Sequence, residues 1–266
     1  MTTQPLAIIP ARVGSKGVPN KNFRLLPDGH SLTWRAIQCA KASWCYPVLS
    51  TNVTTFGNHG SCGVIVEQTG ETWDAFPVQR PDALAQDDTP MIDVVRHVLE
   101  AIPGPPDQVI VLLQPTSPFR TVAHVTTALE LLVEPWTSVV SVVEVPAHSR
   151  PGVLCQISDD ILRPWPRSDE SGSWWGDRFL PSRRQDAEPA FRRDGTVYVF
   201  RRRTVVEWDH IYGDRARAYL LPASKSFTID TLEEWDEAER RVKADNDPDV
   251  VLPSTYSVLG PIGRLT

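Results

Sequence analysis

The sequence predicts an α/β protein built on a mainly parallel sheet, with an excursion inserted before its last strands. Three observations carry this. Short apolar, β-rich runs alternate with longer amphipathic segments, the pattern of a sheet covered by helices on both sides. Of the 266 residues, 41% are hydrophobic and 23% charged, near the usual globular values of about 45–50% and 25%. Between Pro146 and Pro189 the texture changes, as Pro, Arg, Ser and Trp replace any sustained period.

The first element is Leu6-Ala7-Ile8-Ile9-Pro10, an apolar run that reads as a buried strand feeding a polar turn. A helix is expected from about Leu32 to Ser43, with Ser31 placed to cap it. Val48-Leu49-Ser50 and Gly63 to Val66 are the next candidate strands, separated by a Gly- and Asn-containing stretch with a poor helical pattern. Asp88-Thr89-Pro90 opens another helix, with Pro at its first position, and Ile92, Val95, Val98, Leu99 and Ile102 give it one apolar face. Val109 to Leu113 reads as strand, Val122 to Val133 as helix and Ser138 to Val145 as strand. Regularity returns at Thr196 to Phe200 as a strand, and at Thr231 to Ala244, where Leu232, Trp235, Ala238 and Val242 suggest an amphipathic helix. The expected organisation is one domain over residues 1–244 with an insertion at about 146–189, followed by a tail over 245–266. The chain holds no internal repeat.

Charge and composition exclude several classes of function. With 27 Lys and Arg against 33 Asp and Glu, the net charge of −6 argues against broad binding of nucleic acid, so an anion site must be a local basic cluster. No apolar run approaches the roughly 18 residues of a spanning helix, and Met1 to Pro10 lacks the charged and apolar regions of a secretory signal. A cytoplasmic protein without a membrane partner is expected. Cys39, Cys45, Cys62 and Cys155 form no CxxC pair and read as free thiols. His148 and His210 have no placeable acid and nucleophile partners, so no triad is argued.

The turn after the first strand carries the strongest chemical signal. In Pro10 to Asn22, Gly14 and Gly17 allow close backbone approach, while Arg12, Lys16 and Lys21 supply cations within a single loop. That is the chemistry of a polyphosphate cradle, although neither GxxxxGK[ST] nor GxGxxG is present. A solvated basic turn is the bland alternative.

The segment resembles the signature PARxGSKGxPxKN of the acylneuraminate (sialic acid) cytidylyltransferase family. Further blocks follow in order: Arg80-Pro81 with Leu84-Ala85-Gln86-Asp87, then Leu113 to Arg120 (LQPTSPFR), Arg184-Gln185-Asp186, Gly195 to Phe200, and Ile229 to Glu234. The resemblance runs from about Leu6 to Ala244. It implies a Rossmann-like nucleotidyltransferase fold, CTP and an acidic sugar as substrates, Mg²⁺ as cofactor, and a homodimer joined through the inserted excursion.

Carried over by position, the resemblance implies that Arg12, Ser15, Lys16 and Lys21 hold the triphosphate and Asn22 the ribose. Arg80 with the Leu84 to Met91 stretch, including Thr89 and Met91, would line the base pocket; a surface ion pair is the plainer reading of Arg80. Gln114, Thr116, Ser117, Arg184 and Gln185 would contact the sugar acid, although Gln114 to Pro118 could equally form a rigid turn. Arg12, Lys21 and Asp230 are the implied catalytic residues, and Asp230 with Thr228 the implied metal site. From residue chemistry alone, Asp230 reads either as a helix cap or as a metal ligand.

The departures from the family pattern fall mostly on the acceptor side. The family's DIDTPED has Thr228 in place of its first aspartate. Its Lys near a His-Pro pair is replaced by Ala147-His148-Ser149-Arg150-Pro151, where Arg150 could meet a carboxylate or phosphonate. Asp194 stands where Asn usually precedes the glycine, and Asn52 where the second strand usually ends in Asp. Trp165, Trp174 and Trp175 suit either an interface or a local mini-core. The favoured reading is coupling of CMP to a sialic or related nonulosonic acid. The alternatives are CTP activation of another acid, such as 3-deoxy-octulosonate or a phosphonate, and a nucleotide-binding protein that has lost turnover.

Overall fold

A computed structural model of the chain describes residues 4–53, 63–65, 72–150, 154–158, 161–164 and 188–244. Its elements in chain order are β1 (Leu6–Pro10), α1 (Leu32–Ala42), β2 (Tyr46–Thr51), β3 (Gly63–Ile65), β4 (Thr72–Asp74), β5 (Phe76–Gln79), α2 (Met91–Ala101), β6 (Val109–Leu112), α3 (Val122–Leu131), β7 (Ser138–Glu144), β8 (Cys155–Ser158), β9 (Ile161–Pro164), β10 (Phe191–Arg201), α4 (Arg202–Trp208), β11 (Ala216–Leu220) and α5 (Leu232–Ala244).

Seven strands form one sheet in the order β11-β7-β10-β6-β1-β2-β5. Pairing is parallel except at β10, which runs antiparallel to both β6 and β7. The expectation of a mainly parallel sheet holds, with one inverted strand near its middle. Alternate residues of the central strands enter opposite layers. Ala7, Ile9, Val111 and Val199 pack with Ile37 and Ala40 of α1 and Val125 of α3, while Leu6, Ile8, Leu112 and Phe200 pack with Val95 and Val98 of α2. Both faces are thus apolar, which is why β1 reads as an unbroken hydrophobic run rather than an alternation.

Several boundaries differ from the sequence reading for local reasons. Ser31 caps α1 as expected, accepting from the Trp34 N–H at 3.1 Å. Pro90 is the last extended residue before α2, not its first helical one, and no side chain caps that helix. The Gly63 strand pairs with β4 in a separate two-stranded sheet, and part of the excursion forms the hairpin β8–β9. Trp165, Trp174 and Trp175, and the tail from residue 245, lie outside the described residues. Cys39, Cys45 and Cys155 are free thiols, and Cys62 too lies outside the described residues. Among the described residues, no helix is long and apolar enough to cross a membrane.

A third apolar cluster positions the chemistry. Trp235, Ala238 and Val242 of α5 pack on Val18 of the basic loop, on Leu26 and Leu32, and on Ile229. Trp235 is among the largest fully buried side chains. The last helix is therefore the floor on which the loop after β1 rests.

Candidate active site

Two adjoining cavities open at the C-terminal edge of β1 and β6, where ligands of open α/β sheets bind. The first, about 430 Å³, is lined by the loop after β1 together with Arg80, Asp87, Thr89, Met91 and Gln114. The second, about 750 Å³, lies between β10, the Tyr212 loop and the segment before α5. Met91, Gln114, Thr116 and Asp230 line both. A ligand bound in either cavity is thus within reach of the other through these four residues.

The loop of the first cavity is fixed from below at each turn. Val18 is fully buried, and a Cβ at Gly17 would overlap the carbonyl oxygen of Asp230, so only glycine lets the loop approach that residue. Asn22 is buried and donates from Nδ2 to the Arg12 carbonyl oxygen at 3.0 Å, closing the base of the loop while still lining the cavity. Asn52, at the end of β2, accepts from the Val13 N–H at 3.0 Å. Its amide thus anchors the loop in the place where the sequence pattern suggests an acid.

Cations converge here as expected. Arg12 pairs with Asp87, and Lys16 Nζ lies 2.5 Å from the other oxygen of the same carboxylate. The Lys16 hydrogen bond and then that of Arg12 hold the Asp87 carboxyl below its ordinary range. Asp87 in turn raises the Lys16 ammonium, which remains 84% exposed at the rim. A carboxylate thus sits between two of the cations that a phosphate chain would need.

Arg80 is no surface ion pair. It is 3% exposed and donates to Ser50 through Nε to Oγ at 3.1 Å and through Nη2 to the carbonyl oxygen at 2.8 Å. Burial first, and the neighbouring Arg12 charge second, push its pKa down to about 10, so it stays protonated at neutral pH. No salt bridge to a carboxylate is made by Arg80 among the described residues, leaving a held guanidinium beside Leu84, Thr89 and Met91.

Lys21 and Asp230 mark the junction. Lys21 Nζ donates to Asp230 Oδ1 at 2.7 Å and to the Ile229 carbonyl oxygen at 2.8 Å. The cap of α5 belongs to its neighbours. Thr231 Oγ1 accepts from the Glu234 N–H at 3.2 Å, while the Glu234 carboxylate accepts from the N–H groups of Thr231 and Asp230 at 2.9 and 2.6 Å. This is a capping box, T-x-x-E. It leaves the Asp230 carboxylate, 68% exposed, free of any capping duty.

Thr228 also makes a structural contact. Its hydroxyl donates to the Asp194 carbonyl oxygen at 2.9 Å, although the residue does line the second cavity. Among the described residues no group of three His, Cys, Asp or Glu comes together. The donor set at the junction is one carboxylate, which fits an ion that also takes phosphate oxygens and water.

The wall between the cavities is built by Arg120. This buried side chain donates to the Thr196 carbonyl oxygen and, at 2.6 Å, to that of Gln114. Gly195, at φ +80°, gives Gln114 its room, since a Cβ there would lie 3.1 Å from Gln114 Oε1. The Ile229 N–H donates to the Thr116 carbonyl oxygen at 2.9 Å, tying this wall to the Asp230 segment. Ser117 is buried behind it, without a hydrogen-bond partner at Oγ, and lines neither cavity.

The structure gathers Arg12, Ser15, Lys16, Lys21, Asn22, Arg80, Thr89, Met91, Gln114, Thr116, Thr228 and Asp230 around the two cavities. Arg150 is not brought in. It donates to Glu144 at 2.6 Å and lines neither cavity. Arg184 and Gln185 lie outside the described residues. The sequence reading missed Arg192, Arg193 and Tyr212 in the second cavity. The only signal was a pair of arginines directly before Asp194-Gly195.

The fold is that of the nucleotidyltransferases. The CMP:2-keto-3-deoxy-manno-octonic acid synthetase, solved in complex with CTP, superposes with a TM-score of 0.62 at 14% identity, covering 91% of this chain and 99% of that one. No family model matches the chain. Among curated relatives, the N-acylneuraminate cytidylyltransferase of Escherichia coli is 28% identical over 240 residues, 90% of this chain and 52% of the relative. The CMP-N,N′-diacetyllegionaminic acid synthase of Legionella pneumophila is 29% identical over 254 residues, 91% of this chain and 97% of the relative. The chain thus spans about half the length of some relatives and nearly all of others. Over about nine-tenths of its length the chain is similar to cytidylyltransferases that act on acidic sugars.

Proposed function

We propose that the protein couples CMP from CTP to a hydroxyl of a nonulosonic acid, of the sialic or legionaminic type, releasing pyrophosphate. The observation that carries this is the junction of the two cavities. A cation-rich cleft that suits a nucleoside triphosphate meets a larger polar cavity that suits a sugar acid, with Gln114, Thr116 and Asp230 on both.

In this reading Arg80 reads the pyrimidine, while Arg12, Ser15, Lys16 and Lys21 take the phosphate chain. An acceptor hydroxyl oxygen on the far side attacks the α-phosphorus as the bond to the pyrophosphate oxygen breaks, its proton passing to solvent. Lys21 offsets charge on the phosphates, and holding both partners at the junction removes most of the entropy cost of their encounter. Asp230 is the residue that would hold Mg²⁺, which when bound supplies further neutralisation of phosphate charge. The fit rests on the single uncapped carboxylate beside the phosphate loop.

The reading includes a cytoplasmic homodimer. Supporting the dimer are Phe191 and Leu220, 52% and 57% exposed on β10 and β11, the two strands that flank β7 at one end of the sheet.

The nucleotide half is tested by thermal shift. CTP at a saturating concentration should raise Tm more than ATP or GTP does. Equal or greater stabilisation by a purine nucleotide would sink the pyrimidine assignment.

A further inference from the structure

The second cavity is lined by arginines as well as by carboxylates. Arg192 and Arg193 both line it. Among the described residues neither pairs with a carboxylate, and the side-chain partner of Arg193 is the Tyr212 hydroxyl, over whose ring the guanidinium also sits, 5.5 Å from the centroid. This hydroxyl orients the guanidinium and is no carboxylate counter-ion to it. By contrast, the Arg150 charge is already paired with Glu144.

The backbone explains how Arg193 comes to face the cavity. Strand β10 pairs in register with β7 up to Arg193, opposite Val142, and resumes only at Tyr198, opposite Val140. The extra residues form a bulge, a device that re-aims side chains. Asp194 pins it from inside: its buried carboxylate accepts from the Ser141 hydroxyl, the Thr196 N–H at 3.1 Å and the Thr196 hydroxyl. The Thr228 hydroxyl holds the same residue's carbonyl oxygen from the other side. Two of the departures from the family pattern, Asp194 and Thr228, thus meet at the residue next to Arg193.

We infer that Arg193, steadied by Tyr212 on the pinned β10 bulge, binds the carboxylate of the acceptor acid, a role the sequence resemblance had placed at Arg150. The inference rests on the proposed function for the class of acceptor. Its chemistry is that of a forked, charge-assisted contact in a cavity whose own carboxylates are engaged elsewhere, Asp194 within the bulge, Asp230 with Lys21 and Glu234 in the cap of α5.

The test measures binding of three acids, N-acetylneuraminate, N,N′-diacetyllegionaminate and 3-deoxy-manno-octulosonate, by calorimetry, with pyrophosphate release followed in parallel. At least one acid should bind the wild-type protein better than its carboxamide does. Arg193→Gln should weaken that acid about 10- to 100-fold, the range expected for a lost hydrogen bond between charged groups, and abolish its preference over the amide. Arg193→Lys should keep the preference in part, and the Tm shift with CTP should be unchanged in both variants. Unaltered acid binding in Arg193→Gln would overturn the inference, as would loss of the acid preference in Arg150→Gln alone, or failure of all three acids to bind. Arg193-dependent acid binding without pyrophosphate release would uphold Arg193 and defeat the proposed reaction instead.

Discussion

Lys21 Nζ lies 2.7 Å from Asp230 Oδ1, and the two residues come from opposite ends of the chain to the point where the cavities meet. The proximity makes each the test of the other. Lys21→Ala should cut kcat by about 10²- to 10³-fold, the scale for removing one charge-stabilising donor. Its effect on Tm should be small, because the partner carboxylate is largely exposed and can be hydrated. Near-normal turnover would mean that the phosphate path lies elsewhere.

Asp230 and Thr231 should separate cleanly in a paired experiment. Asp230→Asn leaves the Thr231–Glu234 box intact, so Tm should hold while Mg²⁺-dependent turnover is lost and CTP still binds. Thr231→Ala removes the hydroxyl that accepts from Glu234 and should cost about 1 kcal/mol of stability, typical of a lost N-cap, with modest effect on kcat. The opposite pattern would return Asp230 to a capping role.

Thr228→Asp is expected to have two opposing effects. A second carboxylate near Asp230 should tighten Mg²⁺ dependence, lowering the concentration needed for half-maximal turnover. The same change removes the donor to the Asp194 carbonyl oxygen and should lower stability by about 1 kcal/mol, the net worth of an ordinary hydrogen bond. A titration of Mg²⁺ alongside thermal unfolding reads both.

Asp87 holds Arg12 and Lys16 in ion pairs, and a phosphate chain taken up by these cations would have to displace it. Asp87→Asn should therefore lower Kd for CTP at low salt, with the gain fading as salt screens these exposed groups. A weaker Kd in the variant would show that Asp87 helps to hold the nucleotide.

Trp235→Ala should destabilise the fold by about 3–5 kcal/mol, as large aromatic truncations in a core do. Because Trp235 packs in the same cluster as Val18, the surviving folded protein should also bind CTP less well. Binding unchanged after such a loss would separate the loop's geometry from the helix beneath it.

What the sequence made legible follows from how directly each feature depends on neighbouring residues. The basic loop, the apolar β1 run and the Ser31 cap are local patterns, and all are present as read. The capping box is a local pattern too, since Thr231-Leu232-Glu233-Glu234 fits T-x-x-E, which assigns the cap to Thr231 rather than Asp230. Strands β5 and β11 were missed because they are the two ends of the sheet. The former contains Pro77, tolerated only at an edge, and the latter alternates between half-buried and exposed residues with none fully buried. Arg193 was illegible for a deeper reason. Its direction is set by a bulge held by Ser141 and Thr228, which lie more than thirty residues away on either side, and Tyr212 comes from a loop that carries no motif.

The central claim, that CTP and a sugar acid react across the junction at Gln114 and Asp230, is tested most directly by acid-dependent release of pyrophosphate. The wild-type protein with Mg²⁺ and CTP should release it only when N-acetylneuraminate, N,N′-diacetyllegionaminate or 3-deoxy-manno-octulosonate is added, with an equimolar CMP-linked product. CTP binding with no acid-dependent release from any of the three would contradict it.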